Sequence, residues 1–165
     1  MARVARYLVL MGSMLPIAVA QQPSANSATA SCSFQDGKQL AVRYDGEHNE
    51  VKKQLPAGKL WMPGGQPMWL FAPAELSVGD AKIPVGAYSM YIIPGKENWT
   101  LVVNRNVKPG TDYKQQEDLA RVTMPTGQLS NPQPFNVVFG HVAPKQCNLR
   151  IYYGKTGSWA EFHEK

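Results

Sequence analysis

Residues 82–103 read KIPVGAYSMYIIPGKENWTLVV, and this stretch decides the fold. Ala87 to Ile93 is rich in β-branched and aromatic residues, and Trp99 to Val103 repeats that character. Between them, Pro94-Gly95-Lys96-Glu97-Asn98 concentrates the residues that turn a chain. Two such runs joined by such a segment predict an antiparallel pair of strands. Just upstream, Leu76-Ser77-Val78 meets Gly79-Asp80, a second turn, before Lys82-Ile83-Pro84-Val85-Gly86.

The same grammar extends outward. Ser31–Gln35 and Gln39–Tyr44 alternate polar and apolar residues around Asp36-Gly37, which predicts a hairpin with a two-residue turn. Glu47 to Lys53 is charged and reads as a loop or a short helical turn. Pro56 and Gly58 precede a short strand at Lys59–Met62, Pro63-Gly64-Gly65 ends it, and Met68–Phe71 is the next strand. Lys108-Pro109-Gly110-Thr111 is a loop, and the polar run from Tyr113 to Asp118 suits one helical turn. Leu119–Met124, Phe135–Gly140, Asn148–Tyr153 and Ser158–Phe162 complete the strands, with Pro125, Gly127, Pro132, Pro134, Pro144, Gly154 and Gly157 as breaks. Thirteen prolines and fourteen glycines oppose long helices, because they remove hydrogen bonds or stiffness from a helix interior. The expectation is an all-β protein: an antiparallel β-sandwich of about eight to ten strands with one short helix.

The first twenty residues follow a different logic. Arg3 and Arg6 make a positive start, an apolar stretch opens at Tyr7, and Ala18-Val19-Ala20 places small residues before Gln21. This is the pattern of a cleavable secretory signal peptide over residues 1–20. The stretch is too short for a span of about 20 apolar residues and contains Pro16. Gln21 to Ala30 is rich in Ser, Ala, Asn and Pro and reads as a flexible tail, so residues 31–165 form the single folded domain. The predicted location is periplasmic or secreted, with no membrane span in the mature chain.

Net charge is +5, and loss of Arg3 and Arg6 with the signal leaves +3. The other basic residues are scattered without a run of three, whereas nucleic-acid binding needs a concentrated basic stripe. Nucleic acid is therefore excluded as a partner. Cys32 shares a strand face with Phe34, and Cys147 shares one with Leu149 and Ile151, so both sulfurs point to the core and predict a disulfide.

The motifs of catalysis are thin. Gly154-Lys155-Thr156 resembles the end of a phosphate-binding loop, but Leu149 stands where its first glycine belongs and a strand follows where a helix should. His48, His141 and His163 lack the spacing of a metal site, so no metal or cofactor is expected. No serine sits in a nucleophile elbow. The aromatics are the remaining lead: Trp61, Trp69, Trp99, Trp159, Tyr88, Tyr91, Tyr152 and Tyr153. Tyr152 and Tyr153 point to opposite strand faces, so one of them is a candidate for exposure, as is Trp61.

Gly58-Lys59-Leu60-Trp61, Leu76-Ser77-Val78-Gly79, Ile83 to Met90, Ile93-Pro94-Gly95-Lys96, Glu117 to Val122 and Tyr153-Gly154-Lys155-Thr156 together resemble a bacterial family, domain of unknown function 2911. The resemblance runs from about Cys32 to Phe162. It implies an exported bacterial β-sandwich protein and no established activity. Members commonly follow the tryptophan with arginine, a variable residue and Gly-Ala-Asn, where this chain has Met62-Pro63-Gly64-Gly65-Gln66. An arginine that serves a ligand there is absent here.

Two functions of different class follow. The first is a non-catalytic protein that binds a small molecule, a glycan or an envelope protein, with Lys59, Trp61, Gln66 and Lys155 as candidate ligand residues. The second is a small periplasmic hydrolase with a loop-built active site. Binding outweighs catalysis because no nucleophile stands beside a base. The packing alternative for Trp61 is a core plug, with Lys59 and Lys155 solvated.

Overall fold

The structure, a computed structural model, describes residues 27–46, 54–108 and 112–165. Nine strands follow one another: β1 (Ser27–Ser33), β2 (Gln39–Asp45), β3 (Met68–Ala72), β4 (Leu76–Val78), β5 (Ala81–Ile83), β6 (Gly86–Ile93), β7 (Asn98–Asn104), β8 (Asp118–Ala143) and β9 (Gln146–Glu164). The only helical segments among the described residues are 3-10 turns at Pro63–Gly65 and Gln115–Glu117. The second of these sits where a helical turn was expected. The protein is all-β, as the strand grammar predicted.

All pairings are antiparallel, and the nine strands form one continuous sheet in the order β1-β2-β3-β6-β7-β8-β9-β4-β5. Nine antiparallel strands lie within the expected eight to ten. The sheet curls so that its distant strands meet across a common core. Tyr44 of β2 meets Phe135 of β8 edge-to-face at 5.5 Å and donates a hydrogen bond to Asn136 Oδ1 at 3.0 Å. The Cys32–Cys147 disulfide joins β1 to β9 with the Cα atoms 6.2 Å apart, as predicted. The core is filled from every strand, by Leu40, Leu70, Leu76, Ile83, Met90, Trp99, Met124, Leu149 and Phe162 among others.

Strand β8 explains the continuity. From Asp118 to Pro125 it pairs with β7, and from Thr126 onward it pairs with β9. The exchange of partners falls at Pro125, which has no N–H for a ladder bond. The Ser158 hydroxyl donates to the carbonyls of Met124 and Pro125 (3.3 and 3.0 Å) and fixes the bend. Leu119–Met124 and Phe135–Gly140 were expected as separate strands, because prolines stand between them. They are parts of one strand instead, with Pro132 and Pro134 absorbed where the β8–β9 register shifts.

Other differences are local. Asn148–Tyr153 and Ser158–Phe162 also merge, into β9, so Lys155 lies in a strand irregularity and not in a hairpin turn. Strand β1 starts at Ser27, inside the expected tail. The first hairpin closes through a turn over Phe34 to Gly37, where Gly37 N–H donates to the Phe34 carbonyl at 3.0 Å. Lys59–Met62 contributes a single bridge, Trp61 to Ile92, in place of a strand. The expected signal peptide, the tail before Ser27, the loop at Glu47 to Lys53 with His48, and Pro109 to Thr111 lie outside the described residues. Among the described residues, no helix is long and apolar enough to cross a membrane.

Candidate functional site

Period-2 alternation sorts β9 into two faces. Cys147, Leu149, Ile151 and Tyr153 face the core, while Asn148, Arg150 and Tyr152 face outward. At Gly154 the backbone takes φ +59°, a conformation that side chains with a Cβ rarely adopt, and the alternation slips by one residue. Beyond the slip, Ala160 and Phe162 face the core, and Gly157, Trp159, Glu161 and His163 face outward. The slip therefore brings Trp159 onto the face that carries Arg150 and Tyr152.

On that face lies a groove of about 330 Å³, between β8 and β9. Its floor is a cross-strand glycine pair, Gly127 opposite Gly157. Both glycines are approached by rings. A Cβ on Gly157 would stand 2.9 Å from the Tyr152 ring, and one on Gly127 would stand 3.5 Å from Trp159. Tyr152 is half-buried and Trp159 is exposed. Gln128, Leu129 and Asn148 supply the remaining walls, and Arg150 supplies charge. Arg150 Nε donates to Asn148 Oδ1 at 2.8 Å, which fixes the plane of the guanidinium.

Across the Trp159 ring is a second recess of about 310 Å³, which includes Gly79, Thr123, Glu161 and His163. His163 Nε2 lies 3.9 Å from Glu161 Oε2, and Gln146 donates to the same oxygen at 3.0 Å. A hydrolase needs a nucleophile beside such a base. Ser77 stands opposite His163 in the β4–β9 ladder, and the Ser158 hydroxyl is turned inward onto two backbone carbonyls.

The residues singled out from sequence fall elsewhere. Trp61 is buried at 9% exposure and meets Trp99, Phe135 and Tyr153 edge-to-face at 6.0, 5.4 and 5.1 Å. This burial agrees with the packing alternative, in which Trp61 is a core plug. Lys59, Gln66 and Lys155 are exposed, and none of them lines a groove described above. His141 is exposed at the far end of β8. Of the tyrosine pair, Tyr153 is the buried member and Tyr152 the more open one.

A further polar cluster sits at the start of β8. Asp118 accepts hydrogen bonds from Asn104 Nδ2 (2.8 Å), the Tyr113 hydroxyl (2.7 Å) and Arg121 Nε (2.7 Å). Burial, reinforced by the bond to Asp118, pushes the Tyr113 phenol up, and the bond to Asp118 raises Arg121. Its donors are spent on one another, and the Tyr113 ring packs on Tyr91 at 5.2 Å. The cluster pins the segment before β8 to the outer face of the sheet.

The family model described as "Protein of unknown function (DUF2911)" matches residues 25–161. The chain belongs to this family. Comparison with curated proteins and with solved structures gives no match. The DUF2911 match spans all nine strands except the last three residues of β9, so both the aromatic core around Trp61 and the β8–β9 groove lie within it.

Proposed function

We propose that this DUF2911 protein is a non-catalytic, exported binding protein that holds a saccharide in the β8–β9 groove. The observation that carries the reading is the Gly127–Gly157 pair with Tyr152 and Trp159 set against it on an outward face. The glycines lack side chains, so the Tyr152 and Trp159 rings settle against the strands and form a shallow aromatic surface for a flat ligand. A pyranose ring presents a face of C–H bonds that packs on an aromatic ring, and its hydroxyls suit the amides of Gln128 and Asn148. Export is supported by the A-x-A leader pattern and by the use of both cysteines in a disulfide, a bond of oxidising compartments.

The test is calorimetric titration of the protein, recovered from the export fraction, against neutral and acidic oligosaccharides. Trp159→Ala is expected to weaken binding by about tenfold or more, as loss of a central aromatic contact does, with little change in melting temperature. Saccharide binding that survives both Trp159→Ala and Tyr152→Ala would sink the groove reading. Recovery of an exported chain that begins at Met1 and not at Gln21 would sink the signal-peptide reading.

A further inference from the structure

We infer that the ligand of this groove is an anionic saccharide whose carboxylate is held by Arg150; the inference rests on the saccharide reading of the same site. Among the described residues, Arg150 is the only charged side chain that lines the groove. Among the described residues it makes no ion pair with a carboxylate, and its Nε donates to the neutral Asn148. Asn148 is buried at 6% exposure, so the anchor is fixed while the guanidinium itself is exposed. The guanidinium rests over Gly140, the residue opposite Asn148 in the ladder, where a Cβ would stand 3.6 Å from Nη2. A planar fork fixed in this way matches the two oxygens of a carboxylate.

Charge and shape together select the ligand. A groove with one positive charge, no negative one and two aromatic rings favours a flat body that carries an acidic group. A peptide that adds to a sheet lies along a strand edge, whereas this groove lies on the outward face of the β8–β9 pair, where side chains line it. A uronic-acid oligosaccharide meets both demands, with its pyranose faces on Tyr152 and Trp159 and its carboxylate on Arg150.

The experiment compares tetragalacturonic acid with neutral cellotetraose by calorimetry at low and high salt. The acidic sugar is expected to bind about tenfold to a hundredfold more tightly, the range for a hydrogen bond to a charged group. Arg150→Gln should reduce its affinity to that of cellotetraose, and Arg150→Lys should recover only part of it, since the charge returns without the fork. Arg105→Gln, an exposed arginine away from the groove, should change neither affinity. Equal affinities for the two sugars, or equal loss for both on Arg150→Gln, would overturn the inference and leave the groove reading intact. Failure of both sugars to bind would overturn both.

Discussion

Truncation of Trp61 to alanine separates a packing role from a binding role. The ring is buried and is ringed by three aromatic neighbours at centroid distances of 5.1 to 6.0 Å. Burial of an aromatic side chain removes about 150–250 Å² from water, which at roughly 25 cal/mol per Å² is about 4–6 kcal/mol. Each edge-to-face pair adds about 0.5–1.5 kcal/mol, and the alanine retains a small part of the burial. Large aromatic-to-alanine changes in cores cost about 3–5 kcal/mol, and the three ring partners place Trp61→Ala near the upper end, about 5 kcal/mol. At about 4 °C per kcal/mol for a domain of this size, melting should fall by roughly 20 °C. Thermal and urea unfolding followed by far-UV circular dichroism measures it, and Trp61→Phe should recover more than half of the loss. A melting temperature within a few degrees of the parent, with saccharide binding abolished, would refute the packing argument and return Trp61 to the ligand.

Three more outcomes are expected. Replacement of both Cys32 and Cys147 by alanine removes a bridge across a separation of 115 residues; the chain-entropy estimate is a loss of about 5 kcal/mol, read from urea unfolding, and a loss under about 1 kcal/mol would contradict it. Gly157→Ala sets a methyl group 2.9 Å from the Tyr152 ring, so it should displace the ring and lower saccharide affinity more than it lowers melting; unchanged affinity would show that the ring position is irrelevant. The hydrogen bonds from Lys38 hold the Asp36 carboxyl below its ordinary value of 3.8, and those to Asp36 and then Glu164 hold Lys38 above 10.5. The Asp36 contribution is therefore present above pH 3.8 and lost as pH falls through the lower folded value, and the Lys38 contribution is present below pH 10.5 and lost as pH rises through the higher one. The melting difference between the parent and Lys38→Met should be flat across neutral pH and shrink at both extremes; a difference that varies between pH 5 and pH 9 would point to another group.

The strands were legible because their signals are local. Ala87–Ile93 and Trp99–Val103 carry both their β-forming residues and the turn between them within a single stretch, and they form β6 and β7. The cysteines were legible for a similar reason, since alternation with Phe34, Leu149 and Ile151 fixes which face each sulfur takes. Continuity across Pro125 was not, because a proline reads as a break unless the chain changes partner there, and partners are set by tertiary pairing. The groove was hidden by parity. Tyr152 and Trp159 are an odd number of residues apart, so strict alternation assigns them to opposite faces, and only the slip at Gly154 unites them. Trp61 was left open between core and ligand because its neighbours Trp99, Phe135 and Tyr153 are remote in sequence, while Pro63-Gly64-Gly65 beside it suggested an open loop.

The bridge between β1 and β9 also decides how the molecule carries force. Cys32 lies close to the beginning of the described chain and Cys147 at the start of its last strand, so tension applied between the two ends passes through the sulfur–sulfur bond. The 115-residue span between the cysteines is bypassed and bears no load. What remains in line with the pull is Asn148 to Glu164, held laterally to β8 and, at its end, to β4. That run contains Arg150, Tyr152 and Trp159. A pull on the carboxyl terminus would thus peel β9 from its partners, and it would dismantle the groove together with the core contacts of Phe162 and Tyr153.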